Sequence, residues 1–261
     1  MCKDILNAYT DFETLQRQNK ITLNVKTPNV WKVTLLLHIL LDERKTPKSL
    51  VVPEGKSTSK LITSLEIDKL IRCEFASRYS QEKDRNFQKV SHCPTSDVFN
   101  ARLGNFYQIY QNWGIKKDDA SRITALLGEL GNNVFDHNLG MWPTGNIGCI
   151  IFGKNDPKQK MLEIVVMDFG VGFKKSLSSV FPKIKDDLAA IEKGLQGISG
   201  RVGETRGNGL KLIQKWTLNN FSGNLVIHSG AGLAIVSKKR MVKRKVPKIT
   251  GTIVKLMLFY N

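Results

Sequence analysis

The sequence predicts an α/β protein: a two-layer sandwich, with a mixed sheet covered by helices, preceded by a small α/β module. Three observations carry this reading. Segments with the 3.6-residue helical period interleave with strand-like runs along the whole chain. The last strands follow one another closely, which favours antiparallel succession in a sandwich over a doubly wound parallel sheet. With 261 residues and a hydrophobic fraction of 41%, the chain suffices for one large domain or two modest ones.

The first 95 residues read as the small module. Asp4 to Gln18 has a helical pattern, and Ile21 to Thr27 alternates as a strand does. Pro28 and Asn29 open an amphipathic helix from Val30 to Arg44, and Ser49 to Glu54 is a second strand. Ser57 or Thr58 caps a helix running toward Tyr79. Ser77 to Asp97 is polar and weakly periodic, the best linker candidate. A domain boundary is therefore expected at 95/96.

Residues 96–261 form the second unit. Helices are predicted over Phe99 to Trp113 and Asp118 to Asn138, then strands over Gly145 to Gly153 and Leu162 to Asp168. Phe173 to Glu204 holds a short helix, Asp186 to Leu195, and several glycines, and reads as a hinged lid. A helix from Gly209 to Asn219 precedes three closing strands near Asn224–Ser229, Leu233–Ser237 and Thr252–Tyr260.

Composition sets limits on function. No apolar run reaches the ~18 residues of a membrane span, so no membrane association is expected. Met1 to Glu13 carries acids and lacks an apolar core, so no signal peptide is expected there. Cys2, Cys73, Cys93 and Cys149 have no paired spacing and read as reduced cytoplasmic thiols. Cys73, His92 and Cys93 lack the half-site spacing of a zinc centre. The net charge of +17 invites nucleic acid, acidic proteins or an anionic membrane surface, and of these a nucleic acid or acidic partner is the one expected. Seven of the eleven residues from Lys238 to Lys248 are basic, a solvated hairpin or one that contacts a polyanion.

Three short segments carry chemistry. In ELGNNVFDH, Glu129, Asn133 and His137 are spaced four apart and share one helical stripe, opposite Leu126, Leu127, Leu130 and Val134. An amide oxygen suits Mg²⁺, and a glutamate one turn earlier can act as a general base. In VVMDFGVGF, Asp168 ends a strand before Gly170 and Gly172, which places an acceptor for the adenine amine beside a tight turn. In ETRGNGLKLI, Arg206, Gly207 and Gly209 open a helix in a manner suited to phosphate. Two decoys fail. GKST at Gly55 to Thr58 lacks the first glycine of a P-loop, and Asp168-Phe169-Gly170 lacks the other protein-kinase segments. His38, inside LLLHILL, reads as a core residue.

The order E-x-x-x-N-x-x-x-H, D-x-G-x-G and R-G-x-G-L resembles the N box and two glycine boxes of the GHKL ATPases. That superfamily includes gyrase B, the heat-shock chaperone of ninety kilodaltons, histidine kinases and MutL. The resemblance covers about residues 100 to 260 and implies the Bergerat sandwich. Within the superfamily the chain is most similar to the anti-sigma-factor serine kinases and histidine-kinase-like ATPase domains. The resemblance implies that Asn133 ligates Mg²⁺, that Glu129 is the base and that Asp168 binds adenine with support from Thr252. Gly170, Gly172, Arg206, Gly207, Gly209 and Leu210 would surround the nucleotide, with His137 near the phosphates. The segment of a histidine-kinase phosphoacceptor is missing, and Asn208 stands where a small or apolar residue is commoner. The N-terminal order is similar to STAS-type regulatory modules.

The expected ligands are ATP and Mg²⁺. The expected functions are ATP hydrolysis or phosphate transfer to a protein hydroxyl, an ATP-gated switch without turnover, or a nucleic-acid-associated ATPase. A protein partner is expected, and a homodimer is compatible with the same reading.

Overall fold

The computed structural model describes residues 2–9, 12, 20–22, 30–42, 49–51, 86–138, 148–198 and 208–261. A seven-stranded sheet organises it, in the order β3-β4-β5-β9-β6-β7-β8. These strands are β3 (Phe87–Cys93), β4 (Cys149–Asp156), β5 (Met161–Asp168), β6 (Asn224–Ser229), β7 (Gly232–Ser237), β8 (Met241–Lys245) and β9 (Thr252–Phe259). Every pairing is antiparallel, so the mixed strand directions expected from the sequence are not found in this sheet. The small strands β1 (Lys20–Thr22) and β2 (Ser49–Val51) pair in parallel, as a crossover through the intervening helix allows.

The α/β sandwich is built on one face of this sheet. Helices α3 (Ser96–Asn112), α4 (Lys117–Asn138), α6 (Asp187–Leu195) and α7 (Gly209–Lys215) lie there. Phe106, Ile123, Leu127, Ile191 and Ile213 from these helices join Ile164, Val166, Leu225 and Leu256 from the sheet in one buried core. Thr95 starts α3, its hydroxyl accepting the Val98 amide as an N-cap does. The α7 helix closes with a π-helical turn over Trp216–Asn220.

The opposite face is covered by the N-terminal helices α1 (Cys2–Asn7) and α2 (Val30–Leu41). Trp31, Leu35 and Leu37 pack with Phe152, Val165, Met167 and Ile253 in a second core. The run LEIVVMD therefore has no polar alternation: β5 is buried on both faces. On that second face Lys255 and Glu163 form an ion pair, both almost fully buried.

Two expectations about organisation change. Ser77 to Asp97 is not a plain linker, because residues 87–93 form edge strand β3 and α3 begins at Ser96. The strand lacks a sequence signal because its buried positions are Gln88, Ser91 and Cys93, and a bulge between Gln88 and Ser91 breaks the alternation. Strand β3 and helix α2 also join residues from before position 96 to the main sheet, across the expected boundary. The expected helix running toward Tyr79 lies outside the described residues, as do the later parts of the first helix and first strand.

Of the expected lid, residues 173–198 are described: they hold α5 (Gly172–Leu177) and α6, joined by a largely exposed stretch at residues 178–185. Ala190, Ile191 and Leu195 are buried, and the Asp187 carboxylate accepts the Ala231 amide at 2.9 Å. Asp186 caps α6 through the Ala189 amide. Residues 199–207 lie outside the described residues.

Candidate functional site

One row of register partners crosses the end of the sheet: Cys93, Cys149, Asp168, Thr252 and Ser229. Asp168 and Thr252 form the floor of a pocket at this end of the sheet. Helix α4 supplies one wall with Leu130, Asn133, Val134, His137 and Asn138. Gly172, Phe173, Ser176 and Leu177 supply another, and Gly194, Ile198, Gly209 and Leu210 close the rim. The lining is largely apolar, with polar groups concentrated on the floor and the α4 wall.

Asp168 is the electrostatic centre of this pocket. Its Oδ1 accepts the Gly170 amide at 2.7 Å, and Asn138 Nδ2 stands 3.5 Å away. Burial pushes its carboxyl up to about 7, while the Gly170 and Thr252 amides and Asn138 pull it back toward the charged form. Cys149, its register partner, has a thiol pushed up by its contact with Cys93 and by burial. Both cysteines are free thiols.

The turn after Asp168 is shaped by close approach. A Cβ at Gly170 would fall 2.0 Å from Asn138 Oδ1, so only glycine fits over this amide. Asn138 Oδ1 accepts the Val171 amide at 2.8 Å, and its Nδ2 donates to the Val134 carbonyl. The amide of Phe173, two residues on, is taken by Ser229 Oγ at 3.0 Å, which also contacts Thr252 Oγ1 at 3.1 Å. Helix α4 and strand β6 therefore hold the turn between them.

The second core buttresses the floor from behind. His38 of α2 stacks on Phe169 with ring centroids 4.9 Å apart, and its Nε2 bonds the Thr250 carbonyl. It is buried, in accord with the core role expected for it. His228, beside Ser229, bonds the Tyr9 hydroxyl through Nδ1 and the Gly230 carbonyl through Nε2. Desolvation lowers its pKa to about 3, so the ring is neutral near pH 7.

Most residues expected at the site converge. Asp168, Thr252, Asn133, His137, Gly172, Gly209 and Leu210 line the pocket, and Gly170 holds the Asp168 carboxylate. Glu129 does not line it. A Cβ at Gly209 would lie 2.8 Å from Glu129 Oε2 and 3.5 Å from Asn133 Oδ1, so the carboxylate abuts the start of α7. Arg206 and Gly207 lie outside the described residues.

Sequence reasoning missed Asn138, Ser176 and Ser229. For Asn138 a signal exists: Leu130, Val134 and Asn138 are spaced four apart, so an amide occupies the apolar stripe of α4. Ser176 and Ser229 have no such signal, since both enter through tertiary contact.

Among the described residues, no three His, Cys, Asp or Glu side chains gather as a metal cluster. No helix among them is long and apolar enough to cross a membrane. Neither a scan against protein-family models nor a search of curated proteins finds a match for this chain.

Proposed function

We propose that the pocket binds Mg²⁺-ATP, and that the chain is a cytoplasmic GHKL-type protein that hydrolyses ATP or transfers phosphate to a protein hydroxyl. The observation that carries this reading is Asp168, a buried carboxylate on the floor of a largely apolar slot. A carboxylate offers about four acceptor positions. Gly170, Thr252 and Asn138 use up to three, which leaves capacity for a ligand donor. An exocyclic amine matches that acceptor, whereas the carbonyl of guanine would meet it with like polarity. Val134, Val166, Phe173 and Val254 suit the faces of a flat base.

The residues toward the rim fit the phosphate end. Asn133 offers one neutral oxygen, appropriate to an ion that keeps several waters and binds phosphate oxygens. Mg²⁺, when bound, would neutralise phosphate charge. Glu129, beside Asn133 and Gly209, is the group available to accept a proton from an attacking hydroxyl or water. Gly194 and Ile198 bring the segment read as a lid to the pocket lining, a position from which it can respond to bound nucleotide. The buried free thiols fit a reducing compartment.

One observation favours a second reading. Glu129 leans on the start of α7 instead of lining the pocket, as a switch that binds ATP without turning it over would permit. Phosphate release by the wild type and by Glu129→Gln separates the two. A catalytic base predicts a loss of roughly 10²-fold or more in turnover with ATP affinity nearly kept. Absence of turnover in the wild type under every partner condition favours the switch.

A further inference from the structure

We propose that β8 is a docking edge for an extended acidic segment of a partner protein, which adds to the sheet as a further strand. Strand β8 ends the sheet and pairs only with β7 among the described residues. Its backbone polarity is readable from the flanking bonds. The Ser237 amide donates to the Arg240 carbonyl, and the Val246 amide donates to the Ala231 carbonyl. Even-numbered residues therefore face β7, and Met241, Lys243 and Lys245 turn their backbone groups outward. The Arg244 guanidinium reaches over to the Lys243 carbonyl at 2.9 Å, in keeping with an outward carbonyl.

The side chains supply the charge preference. Residues 243–245 are Lys-Arg-Lys, all exposed. One carboxylate already sits on this edge: Glu192 of α6 pairs with Lys243. Among the described residues the run from Lys238 to Lys248 makes no other ion pair. Met241, one of the two exposed large hydrophobic side chains among the described residues, lies on the same strand.

The geometry favours a peptide over nucleic acid. Lys243 pairs across with Ala234 of the helix-side core, and Arg244 with Leu233 of the opposite core. The cations therefore project alternately to the two faces of the sheet. A strand laid alongside places its side chains on the same two faces at cross-strand spacing, so consecutive carboxylates meet the three consecutive cations. A duplex presents its phosphates to one surface, and the run has no aromatic residue for base stacking. Edge lysines also guard sheets against aggregation. The opposite edge, β3, carries a bulge and one lysine, so the run of three cations is particular to β8.

The test uses the full chain and a short peptide with three consecutive glutamates flanked by valines, with binding and amide hydrogen exchange both followed. Saturable binding is expected, with slowed exchange at Met241, Lys243 and Lys245. Changing Lys243, Arg244 and Lys245 to Gln should weaken it about tenfold, the combined effect of three exposed charge pairs. Arg244→Gln with Lys245→Gln keeps the Lys243–Glu192 pair and should still weaken binding severalfold. A peptide N-methylated at alternate residues should lose binding. No binding, binding without protection of the β8 amides, or tighter binding of a short DNA duplex than of the peptide would overturn the proposal.

Discussion

Asn138 Nδ2 lies 3.5 Å from Asp168 Oδ1, while Asn138 Oδ1 accepts the Val171 amide at 2.8 Å. One side chain of α4 thus holds both the carboxylate on the pocket floor and the turn that follows it. Asn138→Ala should leave the Val171 amide without its acceptor and cost about 1–3 kcal/mol, measured by urea unfolding. Asn138→Asp should push the Asp168 carboxyl further up, because a second carboxylate disfavours the charged form. A carbon-detected titration of the Asp168 carboxyl would read that shift directly.

Stability should depend on pH through Asp168. The folded chain holds this proton to about 7, whereas an unperturbed aspartate releases it near 3.8. Between these values the native state binds more protons than the unfolded state, so stability falls as pH rises. The contribution is fully present below about pH 4 and lost above about pH 7, a change of about 4 kcal/mol. Asp168→Asn cannot ionise, and its unfolding free energy should be flatter over that window. An equal slope in the two proteins would mean that another group titrates there.

The Lys255–Glu163 pair should behave as a buried ion pair. Removing one partner, as in Lys255→Met, leaves an uncompensated buried charge and should cost about 3–5 kcal/mol. Replacing both by apolar residues of similar volume should be nearly neutral. Denaturant midpoints of the two single variants and the double variant form the cycle that checks this.

The parts of the molecule legible in the sequence are those encoded by local period. The stripe of Asn133 and His137 follows from spacing of four on a helix, and Asp168 marks the end of an apolar strand. Strand β3 was hidden because its buried positions carry Gln88, Ser91 and Cys93. Strand β8 was hidden because exposed basic residues on an edge give no alternation. The amphipathic pattern of α2 does not say which surface it covers. A signal for that was present in LEIVVMD, since an unbroken apolar strand needs cover on both faces. Of the groups that hold the turn after Asp168, Asn138 was marked by its place on the apolar stripe of α4, whereas Ser229 reaches the turn only through the fold.

The most direct measurement is a calorimetric titration of the wild type and Asp168→Asn with ATP, GTP and inorganic triphosphate, each with Mg²⁺. The wild type should prefer ATP over GTP. The folded variant should bind ATP at least about tenfold more weakly and triphosphate as well as the wild type does, because only the base contact is lost. ATP binding by the wild type should also strengthen as pH rises through about 7, where Asp168 ionises. Unchanged ATP affinity in folded Asp168→Asn, or equal affinity of the wild type for ATP and GTP, would contradict the assignment of this pocket.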